Sequence, residues 1–300
     1  MEAGLRFGVS EFTTWPWSFE RDLERYDAHG IGAIEVCEFK LNRDDYRPQL
    51  ESIGTAGMIV SSVQSTVHSI FPDSLAPAPS DPDDRIRHIK NAIARIAPYV
   101  PEGTPFVVIT GAAPGGDGQR VYEKCTGALS DLADFAAERG MRIAYEPLNP
   151  VLFNTDTALW GLDDALALIR LVDHPALGIC LDTWNVFQTP NLHDVIRACN
   201  DRIFVVQVSD WRRPRAGADR VSLGDGLIDN ATILKTVRET GFAGWFVLEI
   251  FSSESLPDSI WRADLDDVLT HNVRAFAQIW ASSDIDPGLG HSRHITLSEV

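Results

Sequence analysis

Residues 142–182 read RIAYEPLNPVLFNTDTALWGLDDALALIRLVDHPALGICLD. A short apolar run ends in Glu146, a loop follows, an amphipathic stretch covers 163–172, and a second apolar run ends in Asp182. Strand, helix and strand in that order predict a parallel pair, because parallel strands need a long crossover and a helix supplies it. The same alternation continues in both directions from this unit. Strand-like runs fall at 5–10, 32–37, 59–64, 105–110, 142–146, 177–182, 203–209 and 245–250. Helical stretches fall at 19–30, 81–99, 121–140, 163–172, 191–200, 229–241 and 257–280. Ser18 and Ser80 are the expected N-caps, and Gly30, Gly140 and Gly241 sit where a left-handed residue closes a helix.

Eight such units with no long linker or composition break predict a closed barrel rather than a doubly wound sheet with a second domain. The expected architecture is a single (β/α)8 TIM barrel over residues 1–281, with 282–300 as a C-terminal tail or arm. A chain of 300 residues, 44% of them hydrophobic and 23% charged, has the material for one large core, which excludes disorder of the whole. The formal net charge of −17 repels phosphate backbones and anionic lipid at long range, and so counts against nucleic acid and membrane partners. MEAGLRFGVSEF has no basic stretch followed by an apolar run, and no apolar run reaches the roughly eighteen residues of a span; a cytoplasmic chain is expected. Cys37, Cys125, Cys180 and Cys199 form no CxxC pair, and Cys37 and Cys180 fall in strand runs as reduced core thiols.

In a (β/α)8 barrel the active site lies at the C-terminal ends of the strands. Four consecutive strands there carry oxygen donors: Glu146 in IAYEPLNP, Asp182 in GICLDTWN, Gln207 in FVVQVSD and Glu249 in FVLEIFS. A carboxylate in such apolar surroundings is costly to bury unpaired. Three of them beside an amide, with no Lys or Arg in the same strand ends, call for one divalent ion held by Glu146, Asp182, Gln207 and Glu249. All-oxygen ligation favours Mn²⁺ or Mg²⁺ over zinc. The alternative is that Arg213 or Arg220 simply pairs with these groups.

Further candidates surround this set. His68 after strand 3 is read as a substrate contact or acid/base group, or else as a histidine satisfied by a backbone carbonyl. Glu38 after strand 2 is read as lining the pocket or capping its loop. Trp15, Trp17, Trp184 and Trp211 all fall at strand exits, where aromatic walls suit a sugar ring. SDWRRPRAGADRVSLGDGLID after strand 7 is a basic, Gly-containing loop expected to fold over substrate, with Arg213 or Arg220 holding a hydroxyl, carboxylate or phosphate.

YEPLNP at Glu146, LDTWN at Asp182, QVSDW at Gln207, the RVSLGDGLID stretch and LEIF at Glu249 resemble the sugar phosphate isomerase/epimerase superfamily, the xylose-isomerase-like barrels. The similarity runs from VSEFTTWPWSFERDLERYDAHGIGAIEV to LEIFSSESLPDSIW, nearly the whole chain. It implies a metal at these strand ends and an isomerase or epimerase that works on a keto-sugar or related polyol through an enediolate, with Glu146 and Glu249 as paired acid/base groups. His68, Asn185, Trp184, Trp211, Arg213, Arg220 and Glu38 are then the candidate substrate contacts. Two positions depart from many relatives: Asn185 and Gln207 stand where they carry histidines. A glutamine carbonyl still suits a hard cation, whereas Asn185 cannot shuttle a proton near neutral pH.

Three other readings follow from the same motifs. The first is a metal-dependent lyase, either a keto-inositol dehydratase or a 3-keto-glycoside-cleaving subunit. The second is a nuclease resembling endonuclease IV, against which stand the acidic charge and Thr110, Asn185 and Gln207 at positions where its zinc cluster wants histidines. The third is a noncatalytic sugar-binding barrel, against which the intact glutamate pair argues. A homo-oligomer or a small partner subunit stays open.

Overall fold

Strand formation follows the β-branched and aromatic runs, several of which end at or close to a Gly, Pro or Asp, as at Gly111, Pro147, Asp182 and Asp210. The computed structural model describes residues 6–112, 115, 117–212 and 220–283. Eight parallel strands, β1 (Phe7–Ser10), β2 (Ala33–Cys37), β3 (Ile59–Ser69), β4 (Thr104–Ile109), β5 (Met141–Tyr145), β6 (Leu177–Asp182), β7 (Ile203–Val208) and β8 (Phe246–Leu248), pair in chain order, and β8 closes on β1. Around them lie α1 (Phe19–Ala28), α2 (Arg47–Thr55), α3 (Pro82–Ile96), α4 (Gly118–Ala137), α5 (Leu162–Val172), α6 (Thr183–Val186), α7 (Leu192–Cys199), α8 (Asn230–Glu239) and α9 (Leu265–Ser282). The closed barrel is the architecture expected from the sequence.

The two-residue period of the strands then divides the core into layers. Ile34, Val36, Val63, Tyr145, Leu181, Val206, Val208 and Leu248 belong to the large apolar layer shared with the helices. Their alternates Val107, Ala144, Cys180, Val205 and Val247 form a small separate cluster inside the barrel. Two residues beyond the last four of these, on the same face, stand Glu146, Asp182, Gln207 and Glu249. The lumen is therefore apolar at its base and acidic at its C-terminal mouth.

Several local expectations are corrected. α2 and the single turn α6 were not anticipated; α2 is short, with Pro48 near its start and Gly54 near its end, and these mask its periodicity. Ser18 caps α1 by accepting from the Arg21 N–H, but α3 is capped by Asp81, not Ser80: the Asp81 carboxylate accepts from the N–H groups of Asp83 and Asp84 at 2.8 and 3.2 Å. β3 runs five residues further than the apolar pattern, so His68 lies within it. α9 starts at Leu265, where Asp264 caps it, and carries through Ser282; of the expected tail, residues 284–300 lie outside the described residues, as does Leu5 of the first strand. Gly30, Gly140 and Gly241 do adopt positive φ, at 67°, 71° and 83°. All four cysteines are free and buried. Among the described residues no helix is long and apolar enough to cross a membrane.

Candidate active site

Strand register delivers the central groups. Asp182 ends β6 opposite Gln207 of β7, while Glu146 and Glu249 are the first residues after β5 and β8. All four are buried. Oxygens of Glu146, Asp182 and Glu249 lie within 4.8 Å of one another, the spacing of a shared cation site. The Asn185 amide donates to Glu146 at 2.7 Å and to Asp182 at 3.0 Å, and its oxygen accepts from the Asn149 N–H. Asn185 thus orients two carboxylates, and substrate contact is not what its amide is occupied with.

A fourth strand-borne carboxylate, not singled out from the sequence, joins them. Glu35 of β2 is fully buried and accepts from Ser62 at 2.6 Å, from Gln64 at 3.1 Å and from Gln207 at 3.0 Å to each oxygen. Gln64 and Gln207 also donate to Glu249, at 2.6 and 3.0 Å. The Gln207 carbonyl accepts from the Cys180 thiol at 3.0 Å. Gln207 therefore sits beside the cluster as expected, but it presents an N–H to Glu249 and turns its oxygen down the lumen. The signal that marks Glu35 is parity: in AIEVC it is the one charged residue, and it alternates with Ile34 and Val36 of the outer layer.

The strand ends carry no cation of their own, yet the loop after β7 supplies one. Asp210 and Val221 exchange backbone hydrogen bonds of 3.0 Å, and the Asp210 carboxylate also accepts from Gly224 and Ile228, folding the LGDGL turn back on itself. Gly226 is required there, since an added Cβ would meet the Asp210 oxygen at 2.2 Å. This fold drives Arg220 into the mouth, 2.8 Å from Asp182 and 2.6 Å from Glu249, with its guanidinium 5.0 Å from the Trp184 ring and 5.4 Å from Phe251. The pairing with Arg220 that the sequence offered as the alternative is therefore present. Among the described residues, four buried carboxylates share this neighbourhood with one guanidinium, which pairs with two of them. Burial, Glu249 and Asp182 hold the Glu146 carboxyl well above its ordinary range. Burial also raises Asp182 against the opposing pull of Arg220, and raises Glu249 to about 8 despite Arg220, with Glu35 and Asp182 adding to the rise.

The cavity over this cluster encloses about 130 Å³ and is lined by Glu146, Glu249, Arg220, Gln64, His68 and Trp184, with apolar walls that include Phe12 and Phe251. Trp184 is buried and its indole N–H has no partner among the described residues. His68 lies 3.7 Å from Asp73, which the buried Arg85 holds at 3.2 Å, and its other ring nitrogen is 3.2 Å from the Ser65 carbonyl oxygen. Glu38 is not brought to the cavity; its oxygens accept from the Tyr46 hydroxyl and from the N–H and hydroxyl of Thr66, so it fastens the loop after β2. Trp211 packs on Phe187 at 5.3 Å instead of lining the cavity, and Trp15 stacks on Phe12 at 5.6 Å, behind the wall it was expected to form. Arg213 lies outside the described residues.

The family profile of the xylose isomerase-like TIM barrels matches residues 23–271, and the chain belongs to that family. Within it the chain is 34% identical over 133 residues to a 3-dehydroshikimate dehydratase of Pseudomonas putida, covering 40% of this chain and 19% of that protein. It is 25% identical over 175 residues to an L-ribulose 3-epimerase of a Methylomonas species, covering 58% of this chain and 54% of that one. The chain thus spans about a fifth and about half of the length of these two relatives. Among solved structures, protein SMc04130 of Sinorhizobium meliloti superposes with a TM-score of 0.79 at 21% identity, over 92% of this chain and 98% of that one, a likeness of fold.

Proposed function

We propose that the chain is a divalent-metal-dependent isomerase or epimerase that enolises a small keto-sugar or cyclic keto-polyol. The observation that carries this is the charge imbalance: among the described residues, Glu35, Glu146, Asp182 and Glu249 are buried together against Arg220 alone. The donor set of Glu146, Asp182 and Glu249 fits a hard ion, Mn²⁺ or Mg²⁺, with Gln207 holding Glu249 through its N–H. When bound, such an ion supplies the Lewis acidity that stabilises negative charge on a substrate carbonyl oxygen.

The remaining work falls to the chain's own residues. Glu146 accepts a side-chain hydrogen bond from Asn185 only, among the described residues, and it is the carboxylate best placed to take a proton from the carbon beside the carbonyl. Trp184, Phe12 and Phe251 wall the cavity and keep water from the reacting carbon. His68, also on the cavity wall, is a second proton carrier within the site.

A lyase reading is favoured by one observation, the inequality of the two glutamates. Glu249 is held by Arg220, Gln64 and Gln207, which suits a fixed ligand better than a returning base. Similarity to a dehydratase supports the same reading. Incubation of the Mn²⁺-loaded protein with candidate keto-sugars in heavy water separates the two. Deuterium beside the carbonyl with formation of an epimer or isomer supports the first; loss of a hydroxyl to give an alkene supports the second. Absence of exchange with every ketose and keto-cyclitol tried would refute both.

A further inference from the structure

We propose that Glu35 is a positioning residue of the divalent-ion site, fixing the two glutamine amides that hold Glu249. This rests on the divalent-ion reading given above and adds a residue that touches none of the three clustered carboxylates directly. Glu35 is fully buried in the barrel lumen, and among the described residues no Lys, Arg or His lies within ion-pair distance of it. Its acceptor positions are filled by neutral donors alone: the Ser62 hydroxyl, the Gln64 amide and the Gln207 amide.

Burying this carboxylate carries a desolvation cost, which the three neutral donors around it offset. What it does is orientational. An amide can face a carboxylate only with its NH₂ end, so Glu35 dictates the rotamer ends of both Gln64 and Gln207. Each of these nitrogens then reaches on to the same atom, Oε1 of Glu249, at 2.6 and 3.0 Å. That pins one oxygen of Glu249 and leaves Oε2 to face the cluster, where Arg220 now meets it at 2.6 Å. Outer-shell partners of this type orient ligands and commonly set metal affinity by 10- to 100-fold.

Glu35→Gln keeps the volume but sets an NH₂ group against two amide NH₂ groups and a hydroxyl, so the amides lose the reason for their orientation. The test is Mn²⁺ titration of the whole chelator-stripped protein, followed by the electron paramagnetic resonance of free Mn²⁺, with thermal melting of the metal-free forms alongside. The expected result is an Mn²⁺ Kd weakened about 10- to 100-fold in E35Q that melts cooperatively in its metal-free form. An unchanged Kd overturns the proposal while leaving the metal reading intact. Failure of the wild type itself to bind Mn²⁺, Mg²⁺ or Zn²⁺ overturns both. A lower melting temperature with unchanged Kd assigns Glu35 a purely structural role and likewise overturns it. Should E35Q not fold, Ser62→Ala removes just one donor to Glu35: binding about threefold weaker is expected, the scale of one hydrogen bond, and unaltered binding refutes the proposal.

Discussion

Arg220→Met removes the guanidinium that pairs with Asp182 and Glu249 and keeps a long apolar stem between Trp184 and Phe251. The arginine is 6% exposed and pairs with Asp182 at 2.8 Å and Glu249 at 2.6 Å, so solvent cannot take its place. Removing one partner of a buried pair costs about 3–5 kcal/mol, because the other charge stays buried and uncompensated. With an unfolding entropy of about 2.1 cal/mol/K per residue, a chain of 300 residues loses roughly 1.6 °C per kcal/mol, so melting of the metal-free variant should fall by about 5–8 °C at pH 8. The loss should shrink at low pH. Glu249 already stands at about 8, against 4.5 for the free side chain, with Arg220 opposing the rise. A carboxyl raised in the folded state binds its proton more tightly there than when unfolded. The stability this confers is complete below the unfolded value and is lost as pH climbs through the folded one. Without Arg220 that loss deepens, so the gap between variant and wild type should open between pH 5 and pH 8. Excess Mn²⁺ should close it in part, because the ion meets no opposing guanidinium in the variant and binds it more tightly, and each tenfold difference in Kd narrows the gap by about 1.4 kcal/mol. Urea unfolding at pH 5 and pH 8, in chelator and in Mn²⁺, measures each of these quantities. A metal-free variant as stable as wild type at pH 8, or one whose deficit is largest at pH 5, would refute the electrostatic account.

Glu146→Gln should reduce exchange of substrate hydrogen with heavy water by about 10²-fold or more, the scale of general-base removal, whereas Glu249→Gln should act chiefly by weakening Mn²⁺ binding; equal exchange defects at saturating Mn²⁺ would favour the two-base epimerase. Mn²⁺ affinity of the wild type should rise with pH from about 5 to 8, because the ion competes with protons on Glu146, Asp182 and Glu249, all raised in the fold; calorimetric titration at three pH values reads both the affinity and the protons released.

The barrel was legible because its signal is local and repeated: each strand is an apolar run that a few residues suffice to mark, and eight of them admit few topologies. The strand-end positions of Glu146, Asp182, Gln207 and Glu249 were legible for the same reason, since a polar residue at the end of such a run is set by a period of two. Glu35 obeys that period as well, between Ile34 and Val36, but it lies in mid-strand, and the sequence alone drew attention to Glu38 three residues on, which the structure ties to Tyr46 and Thr66.

What needed the tertiary structure is everything decided by through-space contact between remote segments. Arg220 is far in sequence from the carboxylate of β6, and only the Asp210–Val221 bridge and the turn at Gly226 place its charge between Asp182 and Glu249. The direction of the Gln207 amide is likewise set by Glu35, Glu249 and Cys180, from three other strands, and an amide's two ends look alike in any sequence. Residue types and strand parity thus determined which groups converge on the mouth of this barrel. Distances of a few ångströms between strands and loops decided which of them balance charge, which orient their neighbours, and which stand free to move a proton, because electrostatic and hydrogen-bond energies depend on separation and direction that sequence order does not encode.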